Sequence, residues 1–360
     1  MEKVGLITIH DTINFGSLLQ TFSLYKALEK MGVDVELIDY KCKAIQERET
    51  IYSPREWKSW KDVVFFLLSH RQLKKKRSNY ISFLHKEMIL SPEYCQVNVR
   101  ESNSRYSTFL VGSDIVWGMK ITGNDFSYML DFVEEAKRKL AFSASVGTKW
   151  KDEQEPKIKQ LLSRFEAITV REHLASEWIS PLIGKDVPVT CDPTMLMGGD
   201  FWSKYMDDST TPKEDYVLVY MSADNRQSLK DAINYANNRS YKVYFIHHGL
   251  PNKGSARIYP TKVQQWISLI KNAKVVFTGS YHGLLFSMYL HTPVFYYNRA
   301  YSARMISLCH ELEIEHREAI GNHIQEDLPI DFEKADRIMA KKRDFAFNIL
   351  QEYFKTYISL

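Results

Sequence analysis

The sequence is poor in most of what secreted, membrane-spanning or ordinary nucleotide-driven proteins display. It has four cysteines in 360 residues, Cys42, Cys95, Cys191 and Cys309, far apart and with no CxxC pair. Zinc-ligand spacing is therefore absent, and free thiols in a reducing cytoplasm are expected rather than a disulfide framework. Apolar runs are short: the longest, such as Val63 to Leu68, are six residues, where a spanning helix needs about 20. The opening MEKVGLITIHD has no charged segment followed by a long apolar stretch, so no signal peptide is read. GxxxxGK[ST], GxGxxG, HExxH, GxSxG and an EF-hand loop are all missing. Their absence disfavours P-loop kinases, dinucleotide-dependent enzymes, zinc proteases and serine hydrolases, and no metal site is expected.

Charge of one sign is also scarce. The formal net charge is only +4. Residues 43–100 hold twelve Lys/Arg against six Asp/Glu, so this stretch alone is +6 and the other 302 residues sum to −2. A general nucleic-acid coat is excluded, and no nucleic-acid partner is expected. With 44% hydrophobic and 26% charged residues, the chain can bury a sizeable core, and its length predicts about two domains.

What is present is an alternating α/β rhythm. KVGLITI, the helical spacing of LLQTFSLYKALEKMG and the run VDVELIDY make a βαβ unit. Residues 43–100 interrupt the rhythm. They are basic and aromatic, including Trp57 and Trp60, and are read as an inserted helical subdomain with no convincing strand. Strands return at 107–111, 140–147 and 167–170. A second set begins near 215 with strands at DYVLVYMS, YKVYFIHH, AKVVFTGS and PVFYYN and helices over 226–239 and 260–272. The expected organisation is an N-terminal Rossmann-like domain over 1–200 carrying the insertion 43–100. A C-terminal Rossmann-like domain follows over 201–332, then a helical tail over 333–360. Both sheets are expected to be parallel. Ligands of such sheets bind beyond the carboxyl ends of the strands, so the strand-terminal loops hold the candidates.

TGSYHGLLFSMYLHTPV (278–294) runs from a strand into a helix starting near His282. A helix N-terminus offers unpaired N–H groups and partial positive charge, so Ser280, Gly283 and the nearby amides suit a phosphate or carboxylate. His282 is the residue there that exchanges a proton near neutral pH. A capping serine beside an ordinary surface histidine explains the same pattern. VGSDIVWG (111–118) places Ser113 and Asp114 after a strand, where Asp114 suits sugar hydroxyls or a turn. ITIHDTINFGS (7–17) puts Asn14, Gly16 and Ser17 before the first helix, and SASVG (143–147) brings Ser143 to a strand end. TVREH (169–173) adds Arg171, a planar fork for anions or one half of an internal Arg–Glu pair.

Taken together, these stretches resemble the polysaccharide pyruvyl transferase family. The resemblance rests on VGLITIHDTINFGSLLQTFSLYKALEKMGVDVELIDY, FLVGSDIVWG, AFSASVGT with ITVREHLAS and CDPTML, and VVFTGSYHGLLFSMYLHTPVFYYN, in family order over about residues 4–310. It implies two Rossmann-like domains facing a cleft, similar to GT-B glycosyltransferases. It implies transfer of the pyruvyl group of phosphoenolpyruvate onto a sugar of a cell-surface polysaccharide or its lipid-linked precursor, giving a cyclic ketal. Phosphoenolpyruvate is then a co-substrate, and no cofactor is implied. By resemblance His282 is the acid or orients phosphate, Arg171 holds phosphate or carboxylate, and Asp114 positions or deprotonates a sugar hydroxyl. Ketal-forming members carry an Arg two positions before the histidine, where this chain has Ser280. Arg171, or Arg304 in the loop NRAYSAR, would supply that charge. A nucleotide-sugar glycosyltransferase and a non-catalytic carbohydrate-binding protein remain as alternatives. The basic, Trp-bearing stretch 43–100 is expected either to face water or to rest on the inner face of a membrane.

Overall fold

The computed structural model describes residues 3–49, 60–220, 226–246, 253–298, 303–319, 324 and 328–355. Trp57, and residues 299–302 before Arg304, lie outside them. The chain divides into two compact units. One is drawn from Met1–Glu49, Ile81–Met197 and Ala340–Leu360, the other from Thr50–Tyr80 and Gly198–Met339.

The first unit is built on β1 (Val4–Ile7), β2 (Val35–Tyr40), β3 (Leu90–Tyr94), β4 (Thr108–Val111), β5 (Arg138–Ala144) and β6 (Ala167–Val170). Their order is β3-β2-β1-β4-β5-β6, and every pairing is parallel. The second unit carries β7 (Tyr216–Tyr220), β8 (Lys242–Ile246), β9 (Ala256–Ile258), β10 (Val275–Thr278) and β11 (Val294–Tyr296). Its order is β11-β10-β7-β8-β9, again parallel throughout. Each is the doubly wound arrangement, in which the chain works outward from a central strand in one direction and then in the other. Strand order reverses between β1 and β4 in the first sheet and between β7 and β10 in the second.

The sequence reaches this result through short β-branched runs without polar alternation. Val4–Ile7 and Val275–Thr278 are buried at every position, as strands covered by helices on both faces must be. The helix Phe15–Lys30 supplies one such cover. Asn14 caps it, its side-chain oxygen accepting from the amides of Gly16 (2.9 Å) and Ser17 (3.3 Å). The cluster around Trp117, Phe109 and Ile158 fills the first unit, and Val217, Phe277 and Phe295 lie in the core of the second.

The segment 43–100 differs from its purely helical expectation. It contains helices Lys43–Glu49 and Trp60–Glu87, and then β3, the edge strand beside β2. The run LSPEY hides that strand because Pro92 cannot donate to a ladder, a loss that an edge strand tolerates. The part of the helix Trp60–Glu87 that belongs to the second unit, up to Tyr80, is fastened there by Asn79, whose amide donates to the Thr261 carbonyl (3.2 Å) and hydroxyl (3.0 Å). Among the described residues no helix is long and apolar enough to cross a membrane.

Candidate functional site

The expected site residues fall into two clusters, each at the point where its own sheet reverses strand order. In the first unit, β1 and β4 end side by side. The Thr8 hydroxyl donates to the Ser113 carbonyl (3.0 Å) across that point, and the Ser17 hydroxyl donates to Asp114 Oδ2. Asp114 sits at φ +71°, a left-handed conformation that aspartate adopts more readily than most residues. Three contacts hold it there. Its Oδ1 accepts from the Ile115 amide (2.9 Å), and its carbonyl accepts from the amides of Val116 (2.7 Å) and Ser145 (3.1 Å). The loop continues into Trp117, fully buried, whose ring N–H donates to the Tyr128 carbonyl (2.8 Å).

Arg171, at the end of β6, reaches the same point. Its Nη1 lies 2.8 Å from Asp192 Oδ2 and 3.4 Å from the Ser113 hydroxyl, and its Nη2 is 3.8 Å from Asp114 Oδ1. The internal pair that the sequence left open is therefore present, but its carboxylate is Asp192, not the adjacent Glu172. Asp192 is fixed in turn by the Thr194 amide (2.9 Å) and hydroxyl (2.6 Å). Glu172 serves another purpose. Its Oε1 accepts from the Ser145 hydroxyl (2.8 Å) and the amides of Val146 (3.0 Å) and Gly147 (3.2 Å), tying the loop after β5 to the end of β6. Ser143 stands in β5 at φ +53°, beside a register shift in the β5–β6 pairing. Its hydroxyl donates to the Cys191 carbonyl (2.8 Å), so it supports the loop carrying Asp192.

The structure thus brings together Asn14, Gly16, Ser17, Ser113, Asp114 and Arg171 and adds Asp192. The sequence did not single out Asp192, in CDPTML. The signal it lacked was a partner for a buried arginine, which a single sequence does not pair. Nearby, His10 Nε2 lies 2.9 Å from Asp39 Oδ1, and Lys41 Nζ lies 2.7 Å from the same oxygen. Burial works against the Asp39 charge, but the His10 and Lys41 contacts outweigh it and bring the carboxyl down to about 2.

In the second unit the helix Tyr281–Tyr289 begins where β10 ends. Ser280 is its cap, the hydroxyl accepting from the Gly283 amide (3.3 Å). The Thr278 hydroxyl donates to the Tyr220 carbonyl (2.6 Å) and accepts from the Ser280 amide (3.0 Å), joining the ends of β7 and β10. Gly283 is required by close approach, since a Cβ there would overlap the Thr278 hydroxyl and stand 2.9 Å from the Tyr220 ring. Burial pushes the Tyr220 phenol up to about 12, against a hydrogen bond with Ser280 that lowers it. His282 is in the first turn, 9% exposed, its ring edge-on to Tyr281 at 5.3 Å. Arg304 lies over that same Tyr281 ring, 5.9 Å from its centre. Ser280, His282, Gly283 and Arg304 are therefore gathered, with Tyr220 and Tyr281 as neighbours that the sequence did not single out. Among the described residues no group of His, Cys, Asp or Glu is placed to hold a metal ion.

Comparison with known proteins agrees with the fold. A putative UDP-N-acetylglucosamine 2-epimerase from Listeria monocytogenes aligns with TM-score 0.55 and 14% identity, over 100% of this chain and 97% of that one. The MnaA–UDP structure from S. aureus aligns with TM-score 0.52 and 14% identity, over 100% and 98%. The UDP-GlcNAc 2-epimerase from Neisseria meningitidis, bound to UDP-GlcNAc, gives 0.51 and 10%, over 100% and 94%. At such identities the likeness is one of fold, the GT-B type with two parallel-sheet α/β units. A search of curated proteins returns no match. The family model for polysaccharide pyruvyl transferase matches residues 14–301, a span that starts at the cap of the first helix and holds the candidate residues of both clusters except Arg304. The chain belongs to the polysaccharide pyruvyl transferase family.

Proposed function

We propose that this protein transfers the pyruvyl group of phosphoenolpyruvate to two hydroxyls of a sugar, forming a cyclic ketal and releasing phosphate. The acceptor is a cell-surface polysaccharide or its lipid-linked precursor, and the reaction takes place in the cytoplasm. The observation that carries this reading is His282 in the first turn of a capped helix, with Arg304 over the neighbouring ring of Tyr281.

The reaction needs a proton at the methylene carbon of the enol, which His282 would deliver. The carbon bearing phosphate then becomes oxocarbenium-like. One sugar oxygen adds there and gives up its proton, phosphate leaves, and the second oxygen closes the ketal with loss of its own proton. Phosphate and carboxylate charge must be held throughout. The amides around Ser280 and Gly283 and the Arg304 guanidinium suit that task. Arg171 is engaged by Asp192 and so acts best through Asp114, which would orient an acceptor hydroxyl. Ser17 and Ser113 frame the same position.

The test is phosphate release from phosphoenolpyruvate with a panel of lipid-linked and aryl glycosides, using His282→Ala as control. Release that depends on acceptor and on His282 is expected, together with a rise in melting temperature on adding phosphoenolpyruvate. Neither release nor a thermal shift would overturn the proposal. Turnover of a UDP-sugar in place of phosphoenolpyruvate would establish the glycosyltransferase alternative, which the UDP-bound structural neighbours bring into the panel.

A further inference from the structure

The helix Trp60–Glu87 presents two opposed faces between Trp60 and Tyr80. Ser69 (0% exposed), Leu73 (8%), Lys76 (7%) and Tyr80 (2%) recur at helical spacing and are buried. Trp60 (68%), Leu67 (72%), Leu68 (38%), Arg71, Lys74 and Lys75 point the other way and are exposed. At about 100° per residue, these six fall within an arc of about 120° centred opposite the buried row. The apolar members occupy the N-terminal half of the stripe and the cations the C-terminal half. The basic run Lys74–Arg77 is therefore not one patch. Lys74 and Lys75 face outward, whereas Lys76 turns inward over the Tyr80 ring, 5.4 Å from its centre.

We propose that this face docks on an anionic lipid surface, with the helix lying in the interface plane. The stripe joins a large exposed aromatic and two leucines to three cations, without a carboxylate among those six residues. That combination matches a boundary where phosphate head groups meet acyl chains. A second copy of the helix offers less. Parallel pairing sets Arg71, Lys74 and Lys75 against their like, and antiparallel pairing sets them against Trp60 and Leu67. Neither provides the anions that those cations need. Buried apolar area and attraction to anionic lipid are also the two contributions that set how strongly an interfacial helix binds. The proposal does not rest on the reaction above, since it concerns neither cluster of site residues.

Vesicle sedimentation tests it, with purified full-length protein and no phosphoenolpyruvate or sugar present. Vesicles of phosphatidylcholine with one-third phosphatidylglycerol should bind the protein, and pure phosphatidylcholine should not. Lys74→Glu with Lys75→Glu should lower the partition coefficient by roughly tenfold or more, and raised salt should do the same. Leu67→Ser should weaken binding while leaving its salt dependence. Brominated lipid should quench tryptophan fluorescence in the parent protein, and Trp60→Leu should lose that quenching but still sediment. Because these side chains are exposed, unchanged melting curves identify folded variants. Three results would overturn the proposal: no binding to the anionic vesicles, binding indifferent to the charge reversal and to Leu67→Ser, or binding without Trp60-dependent quenching. Loss of pyruvyl transfer with vesicle binding intact would break the functional reading and leave this one standing.

Discussion

The two strand-order reversals use the same backbone device and furnish it differently. Where β1 meets β4, the cluster is dense and sets one guanidinium among carboxylates: Arg171 is closed in by Asp192, Asp114 and Ser113, and Glu172 draws three donors from the next loop. Where β7 meets β10, the named groups are a histidine, an arginine, hydroxyls and helix amides, with no carboxylate among them. A buried, hydrogen-bonded ion pair is costly to break and holds its side chains in place, which is what the proposed aiming of sugar hydroxyls requires. A capped helix end with a titratable ring suits an anion and a proton. The same winding, in six strands and in five, thus leaves the chemistry to a handful of strand-end side chains.

The sharpest way to break this contrast is His282→Ala. If the second cluster is where the proton is handled, phosphate release should fall by roughly 10² to 10⁴ while the melting temperature holds. An equal loss of stability would make the histidine structural. Asp192→Ala probes the other side. It leaves a buried guanidinium with its nearest carboxylate removed, and should cost about 3–5 kcal/mol of folding free energy in a denaturant titration. A loss below about 1 kcal/mol would show that the first cluster is not a buried pair in energetic terms. Asp39 adds a pH signature to the first unit. Its folded pKa lies below the ordinary 3.8, so its contribution is complete above about pH 4 and disappears as pH falls towards 2. The stability gap between the parent and Asp39→Asn should be about 2 kcal/mol at neutral pH and close across that window. Ser280→Ala is the mildest, costing about 1 kcal/mol as a lost helix cap, with a larger proportional effect on phosphoenolpyruvate affinity if those amides hold the anion.

Much of the architecture was legible because parallel strands write themselves as short apolar runs. β6 was read at its observed bounds, 167–170, and the helix expected over 226–239 is Arg226–Asn237. β3 was not, because Pro92 and a short polar run carry no strand period. β9, three residues long, was equally silent. In the candidate sites, positions at strand ends were legible and pairings were not. Arg171 stood out by type, but its partner Asp192 lies 21 residues on, across a loop that only the fold closes. Lys76 shows the limit of reading charge from composition. It belongs to the most basic run in the chain and is nonetheless buried.

The first sheet is finished by the last helix, Phe332–Tyr353. Tyr353 donates its hydroxyl to the Ala141 carbonyl (3.1 Å) on β5, and its own carbonyl receives Arg138 (3.0 Å). During synthesis a domain encoded first would ordinarily close first. Here the strands of the opening half leave the ribosome some two hundred residues before their final cover is made, at a few residues per second. For some tens of seconds at most, β5 and β6 exist without it, so the first-encoded unit is completed only when the chain's last helix has been made.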